Sequence, residues 1–99
     1  MHVKVYLSGP PGRDLQVADA ARRLLLCGCS VFVPGRLRGE SLAPCQVELD
    51  RAWVDCCDAV LHVGELCHDS RATLDRAFLV GVRVFRDLDA LTQFVKGRP

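Results

Sequence analysis

The sequence predicts an α/β fold, a three-layer sandwich in which helices cover both faces of a sheet of four to five parallel strands. Two observations support this prediction. Short apolar segments alternate along the chain with segments whose apolar residues repeat at helical spacing, and glycine or proline stands at most of the junctions. The chain has 99 residues, of which 49% are hydrophobic, so we expect one small domain with a packed core over residues 1–99.

The first strand and the first helix are separated by a glycine-rich turn. The apolar segment Val3 to Ser8 predicts a strand, and Gly9 to Gly12 breaks it. A helix then follows, which Asp14 can cap and which Gly28 ends. Ser30 to Val33 predicts the second strand.

The second helix leads directly into the most apolar strand of the chain. Pro44 fits the first turn of this helix, which is predicted to run to about Cys57. Asp58 closes it, and Ala59 to Val63 predicts a buried parallel strand.

The last third of the chain repeats the helix and strand pattern. Asp69 or Ser70 is predicted to cap a third helix, and Gly81 to end it. Val82 to Phe85 predicts the fourth strand, after which Asp87 caps a last helix. The third helix carries three apolar residues, Leu74, Ala77 and Phe78.

Alternating strands and helices predict right-handed crossovers between parallel strands. The first strand is expected to lie centrally, with the chain reversing direction beside it, as in a small Rossmann-like or flavodoxin-like sheet. The carboxyl ends of the first and third strands would then border a shared crevice, the usual place for a ligand in such sheets.

Composition excludes several functional classes. The net charge is +1 and the pI about 7.6, so no electrostatic footprint for a nucleic-acid polymer is present. No apolar run approaches the ~20 residues that a membrane helix needs, and Met1 to Tyr6 resembles a strand rather than a signal peptide. A soluble cytoplasmic protein is expected, without membrane partners.

The six cysteines show no C-x-x-C pair and no zinc-type spacing. In a cytosolic chain most of them are expected to be small buried hydrophobes or inert thiols. The alternative is a metal site built from Cys67 and His68, but the expectation is that no metal or organic cofactor is needed.

The loop after the first strand is the first candidate binding element. It lies between a strand and a helix, where backbone N–H groups and the helix dipole favour an anion, and Arg13 can add charge toward a phosphate. Pro10 and Pro11 remove two donors, so the loop is not a P-loop. The alternative interpretation is a tight turn with a surface arginine.

Two aspartates and two aromatic residues are the candidates for chemistry. Asp50 and Trp53 lie three apart on one helical face, and Asp75 lies inside the third helix beyond its cap. Facing one crevice, the two carboxylates could serve as acid/base and nucleophile in glycosyl chemistry. Tyr6 could place a phenol at the rim. The alternatives are solvated aspartates and core aromatic residues.

The motifs together resemble the nucleoside 2-deoxyribosyltransferase superfamily. Val5 to Pro10 (V-Y-L-S-G-P) is similar to its opening strand and loop. Glu48 to Trp53, followed by Cys57 to Val60, is similar to its D-x-x-W and D-V/A-V segments, and Gly64 to Asp75, followed by Gly81 to Phe85, to its closing helix and strand. The resemblance covers nearly the whole chain and is closest to short phage and bacterial members, related to 2′-deoxynucleoside 5′-phosphate N-hydrolases.

The resemblance implies cleavage of the N-glycosidic bond of a 2′-deoxynucleoside or its 5′-monophosphate, by hydrolysis or deoxyribosyl transfer. Asp75 would be the nucleophile, Asp50 the acid/base or its orienter, and Tyr6 would position the sugar. Substrate contacts would come from Ser8, Gly9, Pro10, Gly12, Arg13, Trp53 and Ser70. The resemblance further implies a homodimer whose partner completes the site, with the apolar face around Trp53 as a candidate interface.

The closing helix departs from the family pattern. Counting forward from Asp58 places Asp75 where the family has its nucleophilic glutamate, whereas counting back from Gly81 places Thr73 there, and Ala72 stands near the motif glycine. An aspartate is one methylene shorter, and a misplacement of ~1 Å can cost ~100-fold in rate. Two alternatives therefore stand beside the enzyme: a nucleotide-binding module that has lost catalysis, and a structural or interaction domain without a ligand.

Overall fold

Parallel strands form the centre of the protein. The computed structural model describes residues 3–10, 12–33 and 52–97, with the backbone alone for Asp69. In these residues a four-stranded sheet has the order β2-β1-β3-β4, and every adjacent pair is parallel. The strands are β1 (Lys4–Ser8), β2 (Ser30–Phe32), β3 (Ala59–His62) and β4 (Arg83–Phe85). The predicted α/β class, parallel sheet and central first strand are confirmed.

Helices connect the strands and cover both faces of the sheet. They are α1 (Asp14–Leu26), α2 (His68–Val80) and α3 (Leu88–Lys96), and residues 52–56 are also helical before β3 begins. The predicted beginning of the second helix near Pro44, and Asp50 within it, lie outside the described residues. None of the helices in the described part of the chain is long and apolar enough to span a membrane.

The alternation of side chains along β1 divides the core into two clusters. Val5 and Leu7 pack with the apolar residues of α1 and α3, whereas Tyr6 packs with Val60 and with Ala77 of α2. All of these side chains are almost completely buried. Because each burial of a large apolar side chain contributes about 1.5–3 kcal/mol, the two clusters hold the three layers together.

The glycines that end α1 and α2 follow the prediction. Gly28 and Gly81 have φ values of +86° and +81°, in the left-handed region that other residues rarely adopt. After Gly81 the chain turns back to the sheet, and the N–H of Val82 donates to the Ala77 carbonyl at 2.8 Å. The glycine thus sets both the end of α2 and the start of β4.

The helix beginnings differ from the predictions in two cases. Asp14 is the first residue of α1 rather than its cap, and Arg13 at the N-cap makes no side-chain capping bond. The N-cap of α2 is Cys67, not Asp69 or Ser70. Ser70 instead stands at the third helical position, where its Oγ accepts from the Cys67 N–H at 2.8 Å. The serine stabilises the helix start from inside the first turn.

Phe78 of α2 lies outside the core, although it belongs to the apolar residues of that helix. Its exposed fraction is 87%, whereas Ala77 is fully buried against the sheet. Successive residues of a helix are rotated by about 100°, so Ala77 at the centre of the inward face carries residue 78 to the side of α2. Helical spacing therefore gives the buried face of α2 to within one residue, and Ala77 is the residue that contacts the sheet.

The cap of α3 is the one predicted, and it provides a stability test. Asp87 Oδ1 accepts from the N–H of Asp89 at 3.1 Å. Asp87→Ala should lower the free energy of unfolding by about 1 kcal/mol, measured by urea denaturation, because this N–H loses its acceptor. Asp89→Ala is the matched control, since it removes a charge from the same turn but leaves the backbone donor in place. Equal losses in the two variants would contradict the capping role.

Candidate functional site: the carboxyl edge of β1 and β3

The central pair of strands ends at one level. Ser8 of β1 is in register with His62 of β3, and the N–H of Val63 donates to the Ser8 carbonyl at 2.8 Å. The chain runs from β1 outward to β2 on one side, and β3 lies on the other side. The loops that follow β1 and β3 therefore part in opposite directions, which creates the crevice where open parallel sheets bind ligands.

A buried serine and histidine join the two strand ends. His62 Nδ1 lies 3.1 Å from Ser8 Oγ, and His62 Nε2 lies 2.8 Å from the Glu65 carbonyl oxygen. A carbonyl only accepts, so we assign the ring proton to Nε2, and the Ser8 hydroxyl then donates to Nδ1 in the neutral ring. Both residues are buried, with exposed fractions of 3% for Ser8 and 0% for His62. Because a substrate cannot reach a buried pair, the pair is better suited to holding the two strands together than to attacking a substrate.

His62 was not among the residues that sequence reasoning selected. Its signal was a single histidine at the end of an otherwise apolar strand, A-V-L-H-V. The partner that gives this histidine its role is 54 residues away in the chain, and only strand register brings the two together.

Gly9 is closely packed against the first helix and the residue that follows the third strand. A Cβ at this position would lie 3.0 Å from Val17 Cγ2 and 3.2 Å from the Val63 carbonyl oxygen. Gly9 and Pro10 are both buried. The start of the predicted binding loop is thus a tightly packed part of the fold, whereas Gly12 is exposed.

An ion pair bridges the two loops. Arg13 Nη2 and Nε lie 3.0 and 3.3 Å from the same oxygen, Oε2 of Glu65. The hydrogen bonds from Arg13 lower the pKa of the Glu65 carboxyl below its ordinary value. The arginine side chain also covers Gly64, since a Cβ there would lie 3.3 Å from Arg13 Cγ. Arg13 therefore ties the loop after β1 to the loop after β3.

A third loop meets the same place. Arg86, which follows β4, donates from Nη2 to the Gly64 carbonyl at 3.0 Å. A groove of about 240 Å³ runs beside this contact, between α1 and the start of α3, with Leu61 and Val63 at its base. It is smaller than the ~300–1,000 Å³ typical of ligand pockets, so it fits part of a small molecule rather than a whole cofactor.

The structure places the predicted aromatic residues in and beside the core. Tyr6 is 1% exposed and belongs to the cluster on the α2 side of the sheet, so its ring is a core residue rather than an open rim of the crevice. Trp53 is half-buried and packs against Phe32 of β2, with ring centroids 5.5 Å apart. Trp53 thus extends the core cluster of Tyr6 toward β2.

The described carboxylate candidate lies away from the strand ends. Asp75 is exposed, while the neighbouring positions Leu74 and Ala77 face the sheet. It is also about 10 Å along α2 from the helix start that adjoins the crevice, at 1.5 Å per residue. Thr73, the alternative at this position, is half-buried. Asp50 lies outside the described residues, so its position relative to Asp75 is not part of the structure.

Ser70 has a local role at the start of α2. Its Oγ lies 3.1 Å from the Cys67 carbonyl and 3.1 Å from Cys67 Sγ, besides accepting from the Cys67 N–H. The serine is 2% exposed. The structure thus brings Ser8, Gly9, Pro10, Gly12 and Arg13 together with the loop after β3, but it uses Ser70 within the helix cap.

No family model matches the chain, and comparisons with curated proteins and with solved structures also find no match. The arrangement of the strand ends therefore carries the functional argument.

The five cysteines in the described residues form no disulfide with one another, and they differ in exposure. Cys27 and Cys56 are exposed, whereas Cys29 and Cys57 are buried and burial raises the pKa of both thiols, that of Cys57 to about 12. Within 3–10, 12–33 and 52–97, no group of three or more histidine, cysteine or acidic residues is placed to hold a metal ion. Cys67 Sγ contacts Ser70, and Cys45 lies outside the described residues.

The serine and histidine pair makes a first prediction for the site. Ser8→Ala leaves Nδ1 of a fully buried imidazole without a donor and should cost about 1–3 kcal/mol of unfolding free energy. The double variant Ser8→Ala, His62→Leu should lose less than the sum of the two single variants, because the orphaned group is gone. Chemical denaturation of all four proteins measures the coupling, and strict additivity would contradict the pairing.

The adjacent thiols Cys56 and Cys57 make a second prediction. With iodoacetamide at pH 8, Cys56 should be alkylated in the folded protein and Cys57 should not, because a thiol with a pKa of about 12 forms almost no thiolate there. Tandem mass spectrometry distinguishes the two neighbours, and labelling in urea gives the control in which both react. Equal rates in the folded protein would show that Cys57 is not protected.

Proposed function

We propose that the chain binds a nucleoside or nucleotide at the carboxyl ends of β1 and β3. The strand order β2-β1-β3-β4 supports this proposal above all, because it makes the loops after β1 and β3 diverge at the centre of the sheet. Three loops meet at that edge, through Arg13 and Glu65 and through Arg86 and Gly64. A small molecule bound there would contact all three at once.

The class of ligand follows from the resemblance to nucleoside 2-deoxyribosyltransferases. The segments that carry this resemblance and lie at the edge are Val5 to Pro10 and the loop that begins at Gly64. A neutral or weakly charged ligand with several hydrogen-bonding groups, such as a deoxynucleoside, suits an edge made of backbone and mixed charges. On this proposal the protein is a cytoplasmic domain that needs no metal or organic cofactor.

The geometry favours the binding module over the enzyme. Catalysis by a carboxylate nucleophile would require the carboxylate to reach C1′ of a bound sugar. Asp75 is exposed and lies about 10 Å along α2 from the helix start that adjoins the crevice, so α2 of a second copy in a homodimer would supply the nucleophile more readily than α2 of the same copy. The catalytic form of the proposal thus depends on association, and the binding form does not.

Ligand binding should raise the thermal midpoint of the protein. At about 100 times its Kd, a ligand that binds only the folded state adds about 2.7 kcal/mol to the unfolding free energy. The four deoxynucleosides and their 5′-monophosphates form the test panel, with deoxyribose and inorganic phosphate as controls. In ¹H–¹⁵N NMR spectra the largest shift changes should fall on the amides of residues 8–13 and 62–66. Pro10 and Pro11 give no signal because they have no amide N–H.

Release of free base separates the two forms of the proposal. Thermal stabilisation without base release identifies a binding module. Release that is lost in Asp75→Ala but kept in Asp89→Ala, an exposed aspartate on another helix, identifies an enzyme with the predicted nucleophile. Equal release by wild type and Asp75→Ala removes Asp75 from that role. Absence of both stabilisation and release at millimolar ligand would overturn the proposed function.

A further inference from the structure

The loop after β1 is poor in groups that attract a phosphate. Anion-binding loops present consecutive backbone N–H groups, but Pro10 and Pro11 have none. The N–H of Arg13 is directed to the Pro10 carbonyl at 3.4 Å, within the turn itself. The N–H of Arg13 is thus used within the turn.

The cation of this loop is already paired. Both Nε and Nη2 of Arg13 point at Glu65 Oε2, with distances of 3.3 and 3.0 Å, and the aliphatic part of the side chain covers Gly64. Side-chain exposures of 42% for Arg13 and 61% for Glu65 leave the pair at the surface, where a ligand can reach it. A phosphate could bind Arg13 only in competition with a carboxylate that the fold holds beside it.

The net charge of the side chains around this edge is negative, although Arg86 adds a second cation beside Gly64. Asp14 follows Arg13 directly and lies in the first turn of α1, where its carboxylate offsets the favourable end of the helix dipole for an incoming anion. Across the three loops that meet here, Arg13 and Arg86 are positive and Asp14, Glu65 and Asp87 are negative, which gives a net charge of −1 (two positive and three negative groups). A dianionic phosphate would enter against this charge, whereas an uncharged sugar hydroxyl would not.

We infer that Glu65 is a specificity-determining residue that makes the crevice select an uncharged nucleoside over its 5′-monophosphate. This inference rests on the proposed function, because it concerns which member of one ligand class the same edge accepts. Glu65 acts in two ways. It occupies the guanidinium of Arg13, and it places a second carboxylate where the phosphate of a nucleotide would lie.

Titration calorimetry with 2′-deoxyadenosine and its 5′-monophosphate tests the inference. Wild type should bind the nucleoside more tightly than the monophosphate. Glu65→Gln keeps the side-chain shape and frees Arg13, so the affinity for the monophosphate should rise about tenfold, the scale of one screened charge interaction at a surface. Affinity for the nucleoside should stay within about twofold. The gain should shrink as salt is raised.

Asp55→Asn is the matched control. Asp55 also forms a surface ion pair with an arginine, Arg76, with Oδ2 and Nη2 2.6 Å apart, but on the helices that flank β3 rather than on the crevice loops. Its removal should leave the ratio of the two affinities unchanged. The double variant Arg13→Ala, Glu65→Gln should lose most of the gain seen in Glu65→Gln, because the freed cation is absent.

The outcomes separate this inference from the proposed function. Failure of both ligands to bind wild type overturns both. Two results would overturn the inference and leave the proposed function intact. In the first, wild type binds both ligands but binds the monophosphate more tightly. In the second, Glu65→Gln leaves the ratio of the two affinities unchanged. Circular dichroism of each variant confirms folding, and charge exchange in Arg13→Glu, Glu65→Arg should restore the wild-type ratio if the pair itself is the determinant.

Discussion

The pairing of β1 with β3 is the interaction on which the rest of the structure depends. It is fastened at both ends by groups outside the regular ladder. At the start, the Lys4 N–H donates to Asp58 Oδ2 and the Asp58 N–H donates to the Lys4 carbonyl, both at 2.8 Å. At the end, Val63 binds the Ser8 carbonyl, and the Ser8 and His62 side chains meet in the core. Slippage by one residue would turn every buried side chain to the opposite face.

Local pattern predicted the fold well because the forces that select its elements are local. The apolar strands, the glycines that end α1 and α2, and the aspartate that caps α3 each act within a few residues of their own position. The main differences between prediction and structure lie at α2. Cys67 is the N-cap of α2, and the Ser70 side chain bonds back to it. Ala77 is buried whereas its neighbour Phe78 is exposed. Both features depend on contacts that the spacing of apolar residues does not reveal.

The candidate site was predicted less completely because its contacts join distant parts of the chain. His62 meets Ser8 across 54 positions and Glu65 meets Arg13 across 52, and neither pair has a local signature. Sequence reasoning selected one member of each pair, Ser8 and Arg13, from the loop after β1. Their partners belong to the other side of the crevice and became visible only when the strand register was known.

The fold and the side chains differ in the ligand that they favour at this edge. A strand followed by a glycine-containing turn and a helix favours an anion by position alone. Here Pro10 has no N–H to offer, Asp14 opposes the helix dipole and Glu65 neutralises Arg13. The helix dipole is worth only about 0.3–1 kcal/mol at an exposed site, and all three of these features act against its attraction for an anion. On the proposal above, this edge is better suited to an uncharged ligand than to a phosphate, and Glu65 is the group that acts on the cation of the loop after β1.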